Sequence, residues 1–273
     1  MGNEIIKEAK MDKLWKIIND DGDYEFIDLE QNTKDEWLGS PGGWARYHGW
    51  DNAEPLSYRC ASMTYYENFF QDDCKDEPGS DYERGDVVIE EGDVVVDVGA
   101  NIGCFSRYAL TKNPSRVLCF EPFSKNIECL KHNTKNTICE LYEVAVSDNN
   151  NPIKLLGSNA FSGGSNIKGN ADGGIYNIEE MVNCVTLDSL FENNIIDKID
   201  FLKIDVEGAE IDVINGISVD NLKKVNKISM ELHYRHITSE SEAKMLKKIE
   251  EAGFNRTFKF TVPKLAIQTW WKV

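Results

Sequence analysis

Two carboxylates, Asp97 and Glu121, lie 24 residues apart, and each closes an apolar run. Asp97 follows Val94-Val95-Val96 and precedes a turn bracketed by Gly99 and Gly103; Glu121 follows Val117-Leu118-Cys119-Phe120 and precedes Pro122. Short β-branched runs bounded by turn formers read as buried strands, and 24 residues is about one strand–helix–strand unit. Ligands of open α/β sheets bind at the carboxyl ends of such strands. Glycine there lets the backbone turn through positive φ and lets a ligand approach without meeting a Cβ.

The residue types narrow the ligand. A dinucleotide fingerprint is G-x-G-x-x-G with amides facing a pyrophosphate. Here the pattern is D-x-G-x-x-x-G, and an acid ahead of the first glycine repels a pyrophosphate and attracts a cation. S-adenosylmethionine, with its sulfonium and ammonium groups and no phosphate, suits it. Glu121 is then placed to accept hydrogen bonds from both ribose hydroxyls. A plain β-turn-α with two incidental acids is the competing reading. A third acid, Asp205, ends Ile199-Asp200-Phe201-Leu202-Lys203-Ile204, where an unpartnered carboxylate would be costly, so a ligand or hydrogen-bond partner is expected there.

The elements that must position these acids follow from the pattern along the chain. Strands and helices alternate from residue 92 onward, which predicts parallel β-α-β packing. The first helix is expected over 103–112, the second over 124–133 with Ile127 and Leu130 inward, and a third strand over 141–146. The Asp205 strand leads through Val206-Glu207-Gly208-Ala209-Glu210 into a helix, with Glu207 and Glu210 in its first turn, where acids favour the dipole. A fifth strand covers 227–232 and ends in Glu231-Leu232-His233. Ser239 with Glu242 reads as a capping box for a helix to Ala252. Residues 254–261 and 264–271 read as an antiparallel hairpin. Gly85-Asp86-Val87-Val88 and Gly92-Asp93-Val94-Val95 suggest two short strands. The stretch 157–174, rich in Gly, Ser and Asn, is a long loop, of the kind that forms a lid or binding loop or has no role.

Upstream, residues 3–19 show the spacing of an amphipathic helix. An aromatic-rich segment follows, read as the small core of an appendage in preference to a cap over the pocket. We therefore divide the chain into an acidic, aromatic appendage over 1–84 and a cofactor-binding domain over 85–273.

The totals exclude several classes. The formal net charge is −17, and the first 85 residues carry 20 acids against 9 bases. That balance argues against nucleic acid or an anionic membrane surface as the main partner. No apolar stretch is long enough to span a bilayer, and no signal peptide opens the chain. Seven cysteines without a C-x-x-C pair suit a reducing, cytoplasmic setting and disfavour zinc.

The chain resembles the FkbM-type family of S-adenosylmethionine-dependent methyltransferases. The resemblance rests on Val96 to Gly103, Phe120-Glu121-Pro122, Ala145-Val146-Ser147-Asp148 and Thr186-Leu187-Asp188, and most specifically on Ile199 to Glu210. It covers roughly 85–272. It implies the Rossmann-like class I methyltransferase fold: a seven-stranded, mostly parallel sheet with a terminal antiparallel hairpin. It further implies methyl transfer, usually to a hydroxyl of a sugar or natural product, so a small-molecule or glycan acceptor is expected. Asp97, Gly99, Ala100, Asn101 and Gly103 would line the methionine end of the cofactor, Glu121 with Pro122 the ribose, and Ala145, Val146 and Ser147 the adenine. Cys104 stands where an aromatic is half expected.

Methyl transfer leaves the protein two tasks, alignment of the acceptor and removal of its proton. Candidates at the ends of the fourth and fifth strands are Asp205, Glu207, Glu231 and His233. In one mechanism His233 or Asp205 is the general base. In the other, Asp205, Glu231 and His233 hold a divalent cation, and hard oxygen donors favour Mg²⁺. The base is preferred, because carboxylates at neighbouring strand ends, Asp205 included, also serve as cofactor ligands. Two other functions compete: a nucleotide-dependent oxidoreductase and a non-catalytic module that keeps the pocket.

Overall fold

Val94–Val98 carries one polar residue in five, and burial follows: all but its first residue are buried. This strand, β3, lies near the centre of the main sheet. A computed structural model describes residues 14–18, 23–27, 80, 82–157, 178–234, 237–262 and 265–272 of the chain, with 258–262 and 265–267 described by their backbone alone. The expected loop at 157–174, the aromatic cluster between 37 and 70, and the first part of the expected N-terminal helix fall almost entirely outside those residues.

Two short strands come first, β1 (Trp15–Ile18) and β2 (Tyr24–Ile27), paired antiparallel. The helix expected over 3–19 is thus a strand at 15–18. The reason is tertiary: the side-chain amide of Asn133 accepts from Lys16 N at 2.7 Å and donates to Lys16 O at 3.1 Å, standing in for a strand partner. Trp15, Ile17 and Ile18 are buried in consequence.

The main sheet is built from β3, β4 (Arg116–Phe120), β5 (Cys139–Tyr142), β10 (Ile199–Ile204), β11 (Val225–His233), β12 (Asn255–Val262) and β13 (Leu265–Trp271). Its order is β12-β13-β11-β10-β3-β4-β5, with β13 antiparallel to both neighbours and every other pair parallel. The order reverses between β3 and β10, the switch point at which open α/β sheets bind ligands. Helices α1 (Cys104–Leu110), α2 (Ser124–Asn133), α3 (Leu187–Glu192), α4 (Glu210–Asn215), α5 (Val219–Leu222) and α6 (Ser239–Glu251) complete the alternation.

The sheet's two faces differ. Val96, Val98, Leu202, Ile204, Ile228 and Met230 join α3, α4 and α6 in one apolar core. The opposite face buries Val95, Val117 and Phe201 with α1, and with Tyr82, Val87 and Ile89. Asp97, Lys203 and Ser229 alternate onto this second face, so the charges sit where the upstream segment covers the sheet. The boundary drawn at 84/85 passes through that segment.

Four local expectations are corrected. The strand expected over 141–146 leaves the sheet after Tyr142; Ala145–Val146 (β6) instead pairs parallel with Cys184–Val185 (β9). There Ala145 packs with Phe123, Leu155 and Val182, the last two from the antiparallel hairpin β7 (Ile153–Gly157) and β8 (Ile178–Val182). Val87 makes only an isolated bridge with Arg84, because the turn at Gly85 is too tight for a strand. The capping box of α6 is Thr238 with Ser241, one residue upstream, since the Ser241 hydroxyl reaches back to Thr238 N while Glu242 accepts from Tyr234. Glu207 precedes α4, at φ 53° in a turn, so its acid does not serve the helix dipole.

Candidate active site

The end of β3 is fixed first by its backbone. Gly99 sits at φ 82°, and a Cβ there would lie 1.7 Å from the carbonyl oxygen of Asp205, so no other residue fits. Gly99 N and Ala100 N both donate to Phe120 O, at 3.0 and 2.9 Å. Asn101 holds φ 52°, its side-chain oxygen accepting from Ile102 N. Glu121, buried at the end of β4, accepts from Asn101 N at 2.8 Å, Phe123 N at 3.0 Å and the Asn126 amide at 3.3 Å. Burial pushes its carboxyl up to about 7 against the pull of those donors.

Beside this turn lies a cleft of about 660 Å³, its open mouth included. Apolar side chains form the walls: Val98, Phe120, Val144, Val146, Ile153 and Leu155. Polar groups stand at its ends, with Glu121 and Asn126 from β4 and α2, and Asp205 and Glu207 from the end of β10.

Past Asp205 the acids crowd together. Tyr82 Oη lies 2.9 Å from Asp205 Oδ2 and 3.1 Å from Glu231 Oε2. His233 places Nδ1 at 2.8 Å from Glu210 Oε1, and Nε2 at 3.3 Å from Glu207 Oε2 and 3.6 Å from Glu231 Oε1. Glu210 is fully buried, and its Oε1 also accepts from Gly208 N. Burial alone would lower the His233 pKa, but the Glu210 hydrogen bond and the charges of Glu207, Glu210 and Asp205 raise it to about 10. Withdrawal from water raises Glu207 to about 8, opposed by His233. Burial and then Asp205 raise Glu231 to about 7.

Lys203 joins the two ends. It is 3% exposed, donates to Gly99 O at 2.7 Å, and pairs with Asp97 Oδ1 at 3.1 Å and Asp205 Oδ2 at 3.8 Å. Burial opposes its charge, yet Asp97 and then Asp205 hold its pKa above the ordinary lysine value.

Of the residues expected at the site, Gly99, Asn101, Glu121, Pro122, Ala145, Val146, Asp205 and Glu207 line the cleft. Asp97 does not: it is fully buried beneath the turn, bound to Lys203 and to Ser106 Oγ at 2.6 Å. Ala100, Gly103 and Ser147 are likewise buried outside the lining, Gly103 tight against Leu130. Glu231 and His233 lie beyond Asp205. Asp205, Glu231 and His233 each bring a donor atom within 4.8 Å of the others, as a metal would need. Sequence reasoning missed Tyr82, Lys203, Glu210 and Asn126 as members of the site. Lys203 carried a signal, a cation inside an otherwise apolar strand, which a buried sheet tolerates only with partners. Tyr82 carried none.

The sheet order, the hairpin edge and the cleft at the switch point together define a class I methyltransferase fold. The methyltransferase FkbM domain model matches residues 97–256, more than half of the chain, which belongs to that family. Among relatives, the AMB antimetabolite synthetase AmbE of Pseudomonas aeruginosa is 29% identical over 217 residues, covering 66% of this chain and 10% of that protein. The hexuronic acid methyltransferase AglP of Haloferax volcanii is 29% identical over 147 residues, covering 53% of this chain and 57% of AglP. The chain thus spans a tenth of one relative and little more than half of the other. A solved FkbM methyltransferase from Methylobacillus flagellatus aligns at 16% identity and TM-score 0.47, covering 76% of this chain and 47% of that one. Among the described residues no helix is long and apolar enough to cross a membrane. Cys104, Cys119, Cys129, Cys139 and Cys184 are free.

Proposed function

We propose that the chain is an S-adenosylmethionine-dependent methyltransferase acting on a hydroxyl oxygen of a saccharide or natural product. The observation that carries this reading is an apolar cleft at the strand switch point with acceptor groups at both ends, Glu121 at one and Asp205 with Glu207 at the other. Such a donor set fits an adenosine whose ring wants apolar walls, whose diol wants a carboxylate, and whose other end is cationic. Glu121 would hold the ribose, with Asn126 beside it, and the turn at Gly99–Asn101 the methionine end. Among the described residues no basic side chain lines this cleft, and the amides of Gly99, Ala100 and Asn101 are already bonded to Phe120 and Glu121, which disfavours the oxidoreductase reading.

When bound, S-adenosylmethionine supplies a methyl carbon activated by a positively charged sulfur leaving group. Its sulfur would leave with the bonding electron pair, so the chain's own residues need only align the acceptor oxygen and take its proton. The acceptor's proton passes to a carboxylate at the cleft. Asp205 lines the cleft, whereas His233 carries its proton up to about pH 10 and so holds a proton instead of taking one. This favours Asp205 of the two bases considered. AglP is named a hexuronic acid methyltransferase, which supports a sugar acceptor as the first to try.

A second reading, Mg²⁺ held by Asp205, Glu231 and His233, draws on their convergence within 4.8 Å and on Glu210, which orients the imidazole as acids behind metal-bound histidines do. It requires His233 to give up its proton, so cation affinity would rise with pH.

Calorimetry with S-adenosylhomocysteine and with NADH tests the cofactor; uptake of NADH alone overturns the proposal. Transfer of labelled methyl to methyl glycosides and glucuronosides tests the acceptor. Binding without transfer to any hydroxyl leaves the non-catalytic reading, and activity unchanged by EDTA removes the metal.

A further inference from the structure

Tyr82 precedes the residues that match the family domain by 15 positions, yet its hydroxyl ends among the acids at the tips of β10 and β11. We infer that Tyr82 is a positioning residue of the acceptor half of the site, tying Asp205 and Glu231 to one point so that Asp205 is held on the cleft and Glu231 against His233. This rests on the methyl-transfer reading above.

The tyrosine is held from both sides. Its ring meets Phe105 edge-on at 5.4 Å and 76°, and the Lys203 ammonium lies 5.2 Å from the ring centroid. Its backbone N donates to Ser80 Oγ, and the next residue, Glu83, anchors the segment. Glu83 accepts from Ile89 N and the Tyr108 hydroxyl, and pairs with Lys112 at 3.1 Å. The residue is 4% exposed, so the hydroxyl is directed at its two partners and not at solvent. An aromatic that only filled the core would need one acceptor. Two carboxylates on neighbouring strands repel, and one shared donor holds them at a fixed spacing. Glu231 Oε1 is left near His233 Nε2, and Asp205 is left on the cleft.

The test is Tyr82→Phe, which keeps the ring and removes the hydroxyl. We expect S-adenosylhomocysteine affinity within about twofold of wild type, because Tyr82 is outside the cofactor cleft. Methyl transfer from S-adenosylmethionine to methyl glucuronoside or methyl glucoside should lose kcat on the order of a hundredfold, with KM for the cofactor unchanged. With Glu231→Gln already present, the same change should cost little more, since the pair acts through one hydroxyl. A crystal structure of Tyr82→Phe should show the Asp205 and Glu231 carboxylates drawn apart. Unchanged kcat, cofactor affinity falling in step with kcat, fully multiplying effects, or carboxylates left in place would each overturn the inference. A wild-type protein that binds no S-adenosylhomocysteine sinks the cofactor reading instead, and the variant's crystal structure still decides Tyr82.

Discussion

The two ends of the cleft are built by different means. At the β3–β4 end, Glu121 is fixed by groups 2, 5 and 20 residues away, two of them backbone amides. At the β10–β11 end, Asp205 and Glu231 are fixed by a phenol 123 and 149 residues upstream, and His233 by an acid 23 residues back. Local amides hold an acid whatever its side-chain company. A network of side chains holds only when every member is present, because each buried acid left without its partner is penalised. The β3–β4 end should therefore resist substitution of its neighbours and fail mainly when its own backbone changes, while the β10–β11 end should fail at a distance.

The largest expected effect comes from breaking the contact shared by both ends. Gly99→Ala puts a Cβ 1.7 Å from Asp205 O, at a φ that alanine avoids. It should cost on the order of 3 kcal/mol or more and abolish S-adenosylhomocysteine binding, read by denaturant unfolding and calorimetry. Next, Lys203→Met strands Asp97 and should destabilise by about 3–5 kcal/mol. Adding Asp97→Asn should recover much of that loss, and no recovery would mean that Lys203 acts on something other than this pair. Glu121→Ala leaves two amides and the Asn126 side chain short of an acceptor. It should cost about 2 kcal/mol of stability and on the order of tenfold in cofactor affinity, with acceptor KM unmoved if the two ends are independent.

A pH profile probes both ends more gently, since Glu231 and Glu207 at the β10–β11 end are raised as Glu121 is. The folded His233 pKa, about 10, lies above its ordinary 6.5, so its contribution is complete below pH 6.5 and is lost as pH rises through 10. Glu121 is also raised, from 4.5 to about 7; for a carboxyl this means stability lost between pH 4.5 and 7 as the buried acid ionises. His233→Gln should flatten the alkaline fall in unfolding free energy that comes from this imidazole. The smallest effect is a control remote from both ends: Thr238→Ala removes the α6 cap and should cost about 1 kcal/mol without changing affinity.

This contrast also explains what the sequence disclosed. Asp97, the glycine turn and Glu121 were legible because apolar runs, turn formers and one repeat of strand–helix–strand lie within 30 residues of each other. The α2 boundaries follow directly from its pattern. The strand at 15–18 was not legible, since besides pairing with β2 its Lys16 backbone is held by the Asn133 side-chain amide from a distant helix. Ala145–Val146 continues an apolar run, and only the competing pairing with Cys184–Val185 removes it from the sheet. Asp97 was legible as an acid but not as a buried one, because its partner Lys203 comes from a strand 106 residues on. The acids that line the cleft are thus Glu121, Asp205 and Glu207.

Gly99 and Asp205 meet backbone to backbone, with no side chain between them to adjust. On the proposed methyl-transfer reading, the spacing between the methyl donor's berth and Asp205 would therefore be written into the sheet itself. Loops around the cleft could then lengthen or change their chemistry to admit new acceptors without altering the approach of Gly99 to Asp205.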